Sequence, residues 1–387
     1  MGALGYLAAS TPPRLASAGS AVAIPILAVQ QLGSIGIGGA LVAVSLGPSI
    51  LAAPLVGAVL DRTRRPGYLI GMAGLLTAAA FFVAGFLDRV PLPLEFSSLA
   101  VAGAVAPFYM GGLSSFVADA IRDQRRSFAY DALSYNLSAV AGPALVAAMA
   151  ALLPAQAAMF VLSAAALLGA VCVVAIGLPA HGAREHSVWS TTLAGLRHIF
   201  GHRPLAVVTV SSSLTQLGQG GLAVAAVALS IDRIGSPADA ALLVTAFAAG
   251  SLLGAVVETA RPTRARPHVV MGVGFLATGV FTIAAVANLG MVWTVVAIGL
   301  SGAFTASTSA AMLLLRNALS PAHLRAQIFT VGAGLRASAS AAGAALAGSA
   351  TGLGGAVAVA AIGVVWIVSA ALMAAYPSEA PVTQEIH

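Results

Sequence analysis

The chain has 387 residues, of which 59% are hydrophobic and 8% charged, and its mean hydropathy is +0.97. A soluble domain carries about 25% charged residues, so composition excludes that class and marks a polytopic membrane protein. All 18 basic residues are arginine, and the net charge of +6 is scattered between apolar runs, which excludes the basic face of a nucleic-acid binder.

A membrane-spanning helix needs about 20 mostly apolar residues, and twelve such segments are predicted. The first, Gly5–Val29, lacks a basic leader and a small-residue cleavage site, so it is expected to stay as a membrane helix. The next five are Gly36–Leu60, Gly67–Leu87, Phe96–Ala118, Ser127–Leu153 and Gln156–Leu178. After a break come Leu205–Ile231, Ala238–Val257, His268–Ala287, Gly290–Leu315, Ala326–Ala350 and Gly354–Tyr376. Cys172, the only cysteine, lies in the sixth, so no intrachain disulfide or cysteine-based metal site is expected.

The loops alternate in charge. Those after even-numbered spans hold fourteen of the 18 arginines, including Arg62, Arg64, Arg65, Arg316 and Arg325. The opposite face has only Arg89 and Arg233, beside Asp88, Glu95, Asp232 and Asp239. The positive-inside rule then puts both termini in the cytoplasm. His181–Pro204, the longest polar interruption, carries Trp189, Leu193, Leu196 and Phe200 at helical spacing, which predicts an amphipathic surface helix. His198 and His202 are four apart, but no nearby acid or thiol completes a metal set, so no metal is expected.

Between the second and third spans, Gly57–Pro66 reads G-A-V-L-D-R-T-R-R-P, and Gly254–Pro262 repeats it as G-A-V-V-E-T-A-R-P. Gly57 maps to Gly254 and Asp61 to Glu258, about half the chain away, so the protein reads as one half written twice. With twelve spans, a midpoint loop and this turn, the chain resembles the major facilitator superfamily. The family's turn signature, G-x-x-x-D-[RK]-x-G-[RK]-[RK], is matched at Gly57, Asp61, Arg62 and Arg65, whereas Arg64 and Pro66 depart from it. Asp119, Arg125, Arg126 and Gly142-Pro143 resemble the fourth-to-fifth-span segment of drug-efflux-like members. The family's arginine in the fourth span has no counterpart here.

The resemblance implies an all-α membrane protein: twelve transmembrane helices in two pseudo-symmetric six-helix bundles that rock about a midplane site. The expected boundaries are 1–179 for the first bundle, 180–204 for a cytoplasmic linker and 205–387 for the second bundle with a short tail. Gly57, Asp61, Arg62 and Arg65 would form a conformational latch, with Asp119 the partner of Arg62.

Polar groups in a bilayer are costly and are expected to face the interior. The candidate substrate residues are Arg14 and Ser17 in the first span, Tyr109 in the fourth, Gln216 and Gln219 in the seventh, Thr305 in the tenth and Arg336 in the eleventh. Arg14 is expected to bind an anion or carbonyl, or to snorkel or pair with another helix. Arg336 is expected to pair across the bundles with Asp131 or to reach the cavity.

The chain has no G-x-x-x-x-G-K-[ST] loop, H-E-x-x-H or G-x-S-x-G, so it is read as no enzyme and is expected to carry no cofactor. The expected function is alternating-access efflux of small amphipathic or apolar molecules across a bacterial inner membrane, by a monomer in the lipid bilayer. Protons are the candidate coupling ion, although no acid is read deep in a span. One alternative is an importer or exchanger of small organic anions using Arg14 and Arg336. Another is a non-transporting sensor or assembly partner with a transporter fold.

Overall fold

The structure, a computed structural model, describes residues 3–116, 124–178, 188–261, 263–321 and 324–377. The described residues are helical with short connections and contain no strand. In lipid, backbone polar groups have no water to bond, so the helix is the natural way for so apolar a chain to cross.

The first half comprises α1 (Ala3–Leu32), α2 (Ile35–Leu46), α3 (Pro48–Arg62), α4 (Pro66–Ala84), α5 (Leu92–Pro107), α6 (Gln124–Leu152) and α7 (Ala155–Ile176). A surface helix, α8 (Val188–Gly201), follows where the amphipathic pattern predicted one. It buries Ile199 with Leu205, Ile328 and Val331. The second half comprises α9 (Arg203–Ile234), α10 (Ala240–Ala260), α11 (Pro267–Ala284), α12 (Met291–Ala303), α13 (Thr305–Leu319), α14 (Arg325–Ser349) and α15 (Gly355–Met373).

Three spans are interrupted. The second breaks at Gly47, with Pro48 opening α3 at a position where a missing N–H costs nothing. The fourth changes at Pro107 into a π-helical turn, Phe108–Gly112. The tenth breaks at Phe304, between α12 and α13. With those breaks counted, the helices make twelve spans. Eleven are long and apolar enough to cross a membrane by composition alone. The twelfth is α14, 25 residues long, its apolar content diluted by Arg325, Arg336 and three serines.

The spans form two six-helix bundles with the same internal pairing. In the first, α1 packs on α6 and α7, and α4 on α7. In the second, α9 packs on α14 and α15, and α11 on α15. Small residues let the backbones approach, as is usual where lipid leaves no hydrophobic drive between helices. The sequence G-x-A-V-A occurs at Gly19–Ala23 in α1 and at Gly221–Ala225 in α9. Likewise A-G-x-A-L occurs at Ala141–Leu145 in α6 and at Ala342–Leu346 in α14. A Cβ on Gly142 would sit 2.7 Å from Gly19 N, and one on Gly221 would sit 2.9 Å from Gly343 O. The repeated words thus mark one helix crossing made twice.

The bundles meet where α2 crosses α14, near the face opposite the termini. A Cβ on Gly39 would lie 2.7 Å from Gly348 Cα and 2.7 Å from Ala344 O, so the backbones are in direct contact there. α6 also packs on α10. Toward the termini face a cavity separates the bundles.

Candidate functional site

The cavity has a volume of about 630 Å³ and lies between α1, α2, α3, α5 with its π turn, α6 and α14. It runs from Ser45 and Ser49, beside the break in the second span, to the exposed Gly57 and Ser115. Its walls are apolar side chains and hydroxyls, and among the described residues no charged side chain lines it. The π turn places Tyr109 in the wall, because the extra residue in the turn rotates the side chains that follow Pro107. Tyr109 is buried, and its hydroxyl lies 3.1 Å from Ser17 Oγ, which itself donates to the Pro13 carbonyl.

Behind that wall sits a buried charge centre. Arg14 is 1% exposed, and its Nη1 donates to Asp131 Oδ1 at 2.8 Å. Its Nη2 donates to Ser114 Oγ at 2.8 Å and to the Met110 carbonyl at 3.2 Å. The Tyr135 ring stacks on the guanidinium, 3.8 Å from its central carbon. Asp131 Oδ1 also accepts from the Tyr6 hydroxyl and from Ser114. Two opposite charges can stay in so dry a place because each neutralises the other and the carboxylate oxygen is multiply bonded.

A second, much smaller cleft lies within the other bundle. It holds about 20 Å³ and is lined by Ser212, Gln216, Gln219, Thr305, Arg336 and Trp366 among others. Gln216 Nε2 donates to Gln219 Oε1 at 2.7 Å, and Thr305 Oγ1 bonds the Gly302 carbonyl at 2.6 Å.

The structure divides the sequence-predicted site residues into three groups. Ser17 and Tyr109 share the large cavity. Gln216, Gln219, Thr305 and Arg336 share the small cleft. Arg14 is in neither, being paired with Asp131, the acid that the sequence offered to Arg336. Of the latch residues, Gly57 stands at the cavity rim and Arg65 is exposed, its guanidinium 5.7 Å from the Tyr68 ring. Asp119 and the side chains of Asp61 and Arg62 lie outside the described residues.

Two charged residues are placed differently from expectation. Arg316, expected in a loop after the tenth span, is inside α13 and 2% exposed. It continues the buried row Thr305, Thr308, Met312, and that spacing of three, four and four was the available signal. Glu95, expected on the loop face, is in the first turn of α5 and fully buried, with neither carboxylate oxygen hydrogen-bonded.

Comparison with known proteins bears on the same arrangement. The sequence profile of the Major Facilitator Superfamily matches residues 14–344. A relative described as the uncharacterized MFS-type transporter y4rN of Sinorhizobium fredii (strain NBRC 101917 / NGR234) is 24% identical over 326 residues, 81% of this chain and 80% of the relative. Among solved structures, a mutant of the nucleoside transporter NupG aligns with a TM-score of 0.82 at 14% identity, covering 97% of this chain and 100% of that one. A bacterial homolog of the human lysosomal transporter Spinster, inward-facing and unoccupied, aligns at 0.77 and 12%, covering 97% and 96%. A mutant of the peptide transporter POT in complex with alafosfalin aligns at 0.74 and 15%, covering 96% and 93%. At such identities the structures share the fold.

Proposed function

Because the chain belongs to the Major Facilitator Superfamily, and is a multi-pass membrane transporter of a small molecule and no enzyme, we propose that it exports small amphipathic or apolar molecules by alternating access. The observation that carries this reading is the cavity: about 630 Å³, walled by apolar groups and hydroxyls, with no charge among the described residues that line it. Such a site suits an apolar body with one or two hydrogen-bonding groups, which Tyr109, Ser17 and Tyr135 would orient. The drug-efflux-like segment around Asp119 and Gly142-Pro143 supports the outward direction. The arginine-rich loops support cytoplasmic termini in a bacterial inner membrane. In this reading halves 1–179 and 205–387 rock as rigid bodies joined by linker 180–204, in a monomer, and Gly57, Asp61, Arg62, Arg65 and Asp119 form the latch. Asp131, which accepts from Ser114 behind the cavity wall, is the candidate for proton coupling.

The test is flux in proteoliposomes under an imposed pH gradient, with a panel of lipophilic cations, neutral amphiphiles and small hydrophilic carboxylates. Lipophilic probes are expected to move, and Ala106→Trp, which puts an indole into the cavity, is expected to stop them while the protein stays monodisperse. Movement of the hydrophilic carboxylates alone, indifferent to Ala106→Trp, would overturn the reading. Saturable binding of a lipophilic probe with no flux would replace transport by sensing.

A further inference from the structure

The two halves are built on one plan but do not carry the same charge. The A-G-x-A-L repeat aligns α6 with α14, so Asp131 corresponds to Gly332 and Tyr135 to Arg336. The G-x-A-V-A repeat aligns α1 with α9, so Ser10 corresponds to Ser212 and Arg14 to Gln216. In the first half this set holds one cation and one anion, Arg14 and Asp131, in contact. In the second half the acid's place is a glycine, and a guanidinium fills it: a Cβ on Gly332 would lie 3.0 Å from Arg316 Cζ. Arg316 Nη2 donates to Ser212 Oγ at 3.1 Å. Arg336, one turn beyond Gly332, lines the cleft that contains the same Ser212. Two cations therefore converge where the other half has a neutral pair, and among the described residues neither has an acidic partner.

Arginine does not shed its proton in a protein, and an uncompensated charge within a membrane bundle is costly. The Nε atoms of both Arg316 and Arg336 are buried without a hydrogen-bond partner. Arg316 is 2% exposed, so water does not repay it from outside.

From this we infer that the cleft between α9, α13 and α14 is an anion site, with Arg336 in its wall, Arg316 behind it on Ser212, Ser212 and Gln216 as neutral partners, and a carboxylate as its occupant. The planar guanidinium of Arg336 matches a planar carboxylate, to which arginine bonds in bidentate fashion, and the charge of Arg316 behind Ser212 adds to the attraction. The carboxylate is either a free small acid or the head group of a transported amphiphile. The site does not depend on what fills the larger cavity.

The experiment reads binding, not flux, so its failure is separable from failure of the export reading. Trp366 lines the cleft. The full chain carrying Trp189→Phe and Trp293→Phe, in nanodiscs, is titrated with acetate and with octanoate, gluconate holding the ionic strength constant. A saturable change in Trp366 emission is expected, with a parallel rise in the unfolding temperature. Arg336→Gln and Arg316→Gln are each expected to raise the half-saturating concentration by ~10-fold or more, the loss of one charge-assisted contact. Gly332→Asp, which restores the first half's acid beside Arg316, is expected to abolish the response and leave the chain folded. Octanoate saturating far below acetate, with octanol inert, assigns the site to an amphiphile's head group; equal concentrations assign it to a free anion. No saturable response to either acid, or a response that survives both Gly332→Asp and Arg336→Gln, overturns the proposal.

Discussion

Asp131→Leu lowers the stability of the protein by about 3–5 kcal/mol, and Arg14→Leu does the same, whereas the double variant recovers most of the loss. The reason is the position of the pair. Arg14 is 1% exposed and donates hydrogen bonds to Asp131, Ser114 and the Met110 carbonyl, with the Tyr135 ring against its face. Removing the carboxylate leaves a guanidinium that can neither deprotonate nor reach water. Removing the arginine leaves a carboxylate whose remaining donors, Tyr6 and Ser114, are neutral. Removing both leaves apolar side chains of suitable size in an apolar bundle, and buried ion pairs replaced in that way often cost nothing. Unfolding in detergent, by heat or denaturant, measures all three. A double variant no better than the singles would show that the centre is held by packing around each residue, not by mutual neutralisation. The pair also keeps the cavity uncharged: it lies behind Tyr135 and Met110, which line the cavity.

Hydropathy was enough to find eleven of the twelve spans, because in lipid the backbone has few other options and most crossings leave an apolar run; α14 is the exception, and the alternation of loop charge called for it. Charge asymmetry between loops and the echo of Gly57–Asp61 in Gly254–Glu258 were enough to see two halves. What failed was anything that depends on helix rotation. Ser17 and Gln216 are both polar residues within spans, yet one faces the large cavity and the other a cleft inside the opposite bundle. That difference is set by how α1 and α9 roll against their neighbours, and single-helix periodicity does not contain it. Partner choice failed likewise. Asp131 is 117 residues from Arg14, and nothing in spacing prefers it over Arg336. Arg316 was lost for another reason. An arginine near the end of an apolar run is most economically placed at the interface, and only the row Thr305, Thr308, Met312 argues for keeping it inside. The shared G-x-A-V-A and A-G-x-A-L words were legible from the start. Aligned through them, the second half would have shown a glycine, Gly332, in the acid's place and Arg336 one turn beyond it.

Gly39→Leu abolishes transport and leaves the chain folded. Gly39 sits on α2 where the two bundles touch, and a Cβ there meets the backbone of α14, at Gly348 Cα and Ala344 O, 2.7 Å away. Neither atom is the flexible end of a side chain, so the clash is relieved only by moving one helix from the other. Inside a bundle such a shift would strain the core. Between bundles it separates surfaces that alternating access already requires to part. The variant should therefore favour the state open on the face away from the termini. A preference of about 2.8 kcal/mol for that state would leave the other about 100-fold less populated and the cycle stalled. Two measurements decide it. Flux in proteoliposomes should fall to background. In a Cys172→Ser background, Ser45→Cys in the cavity wall should become reactive to an impermeant thiol reagent added on the face away from the termini, and only when Gly39→Leu is present. Full flux in Gly39→Leu would mean that the α2–α14 crossing is a fixed joint, and that closure on this face is made where α6 meets α10.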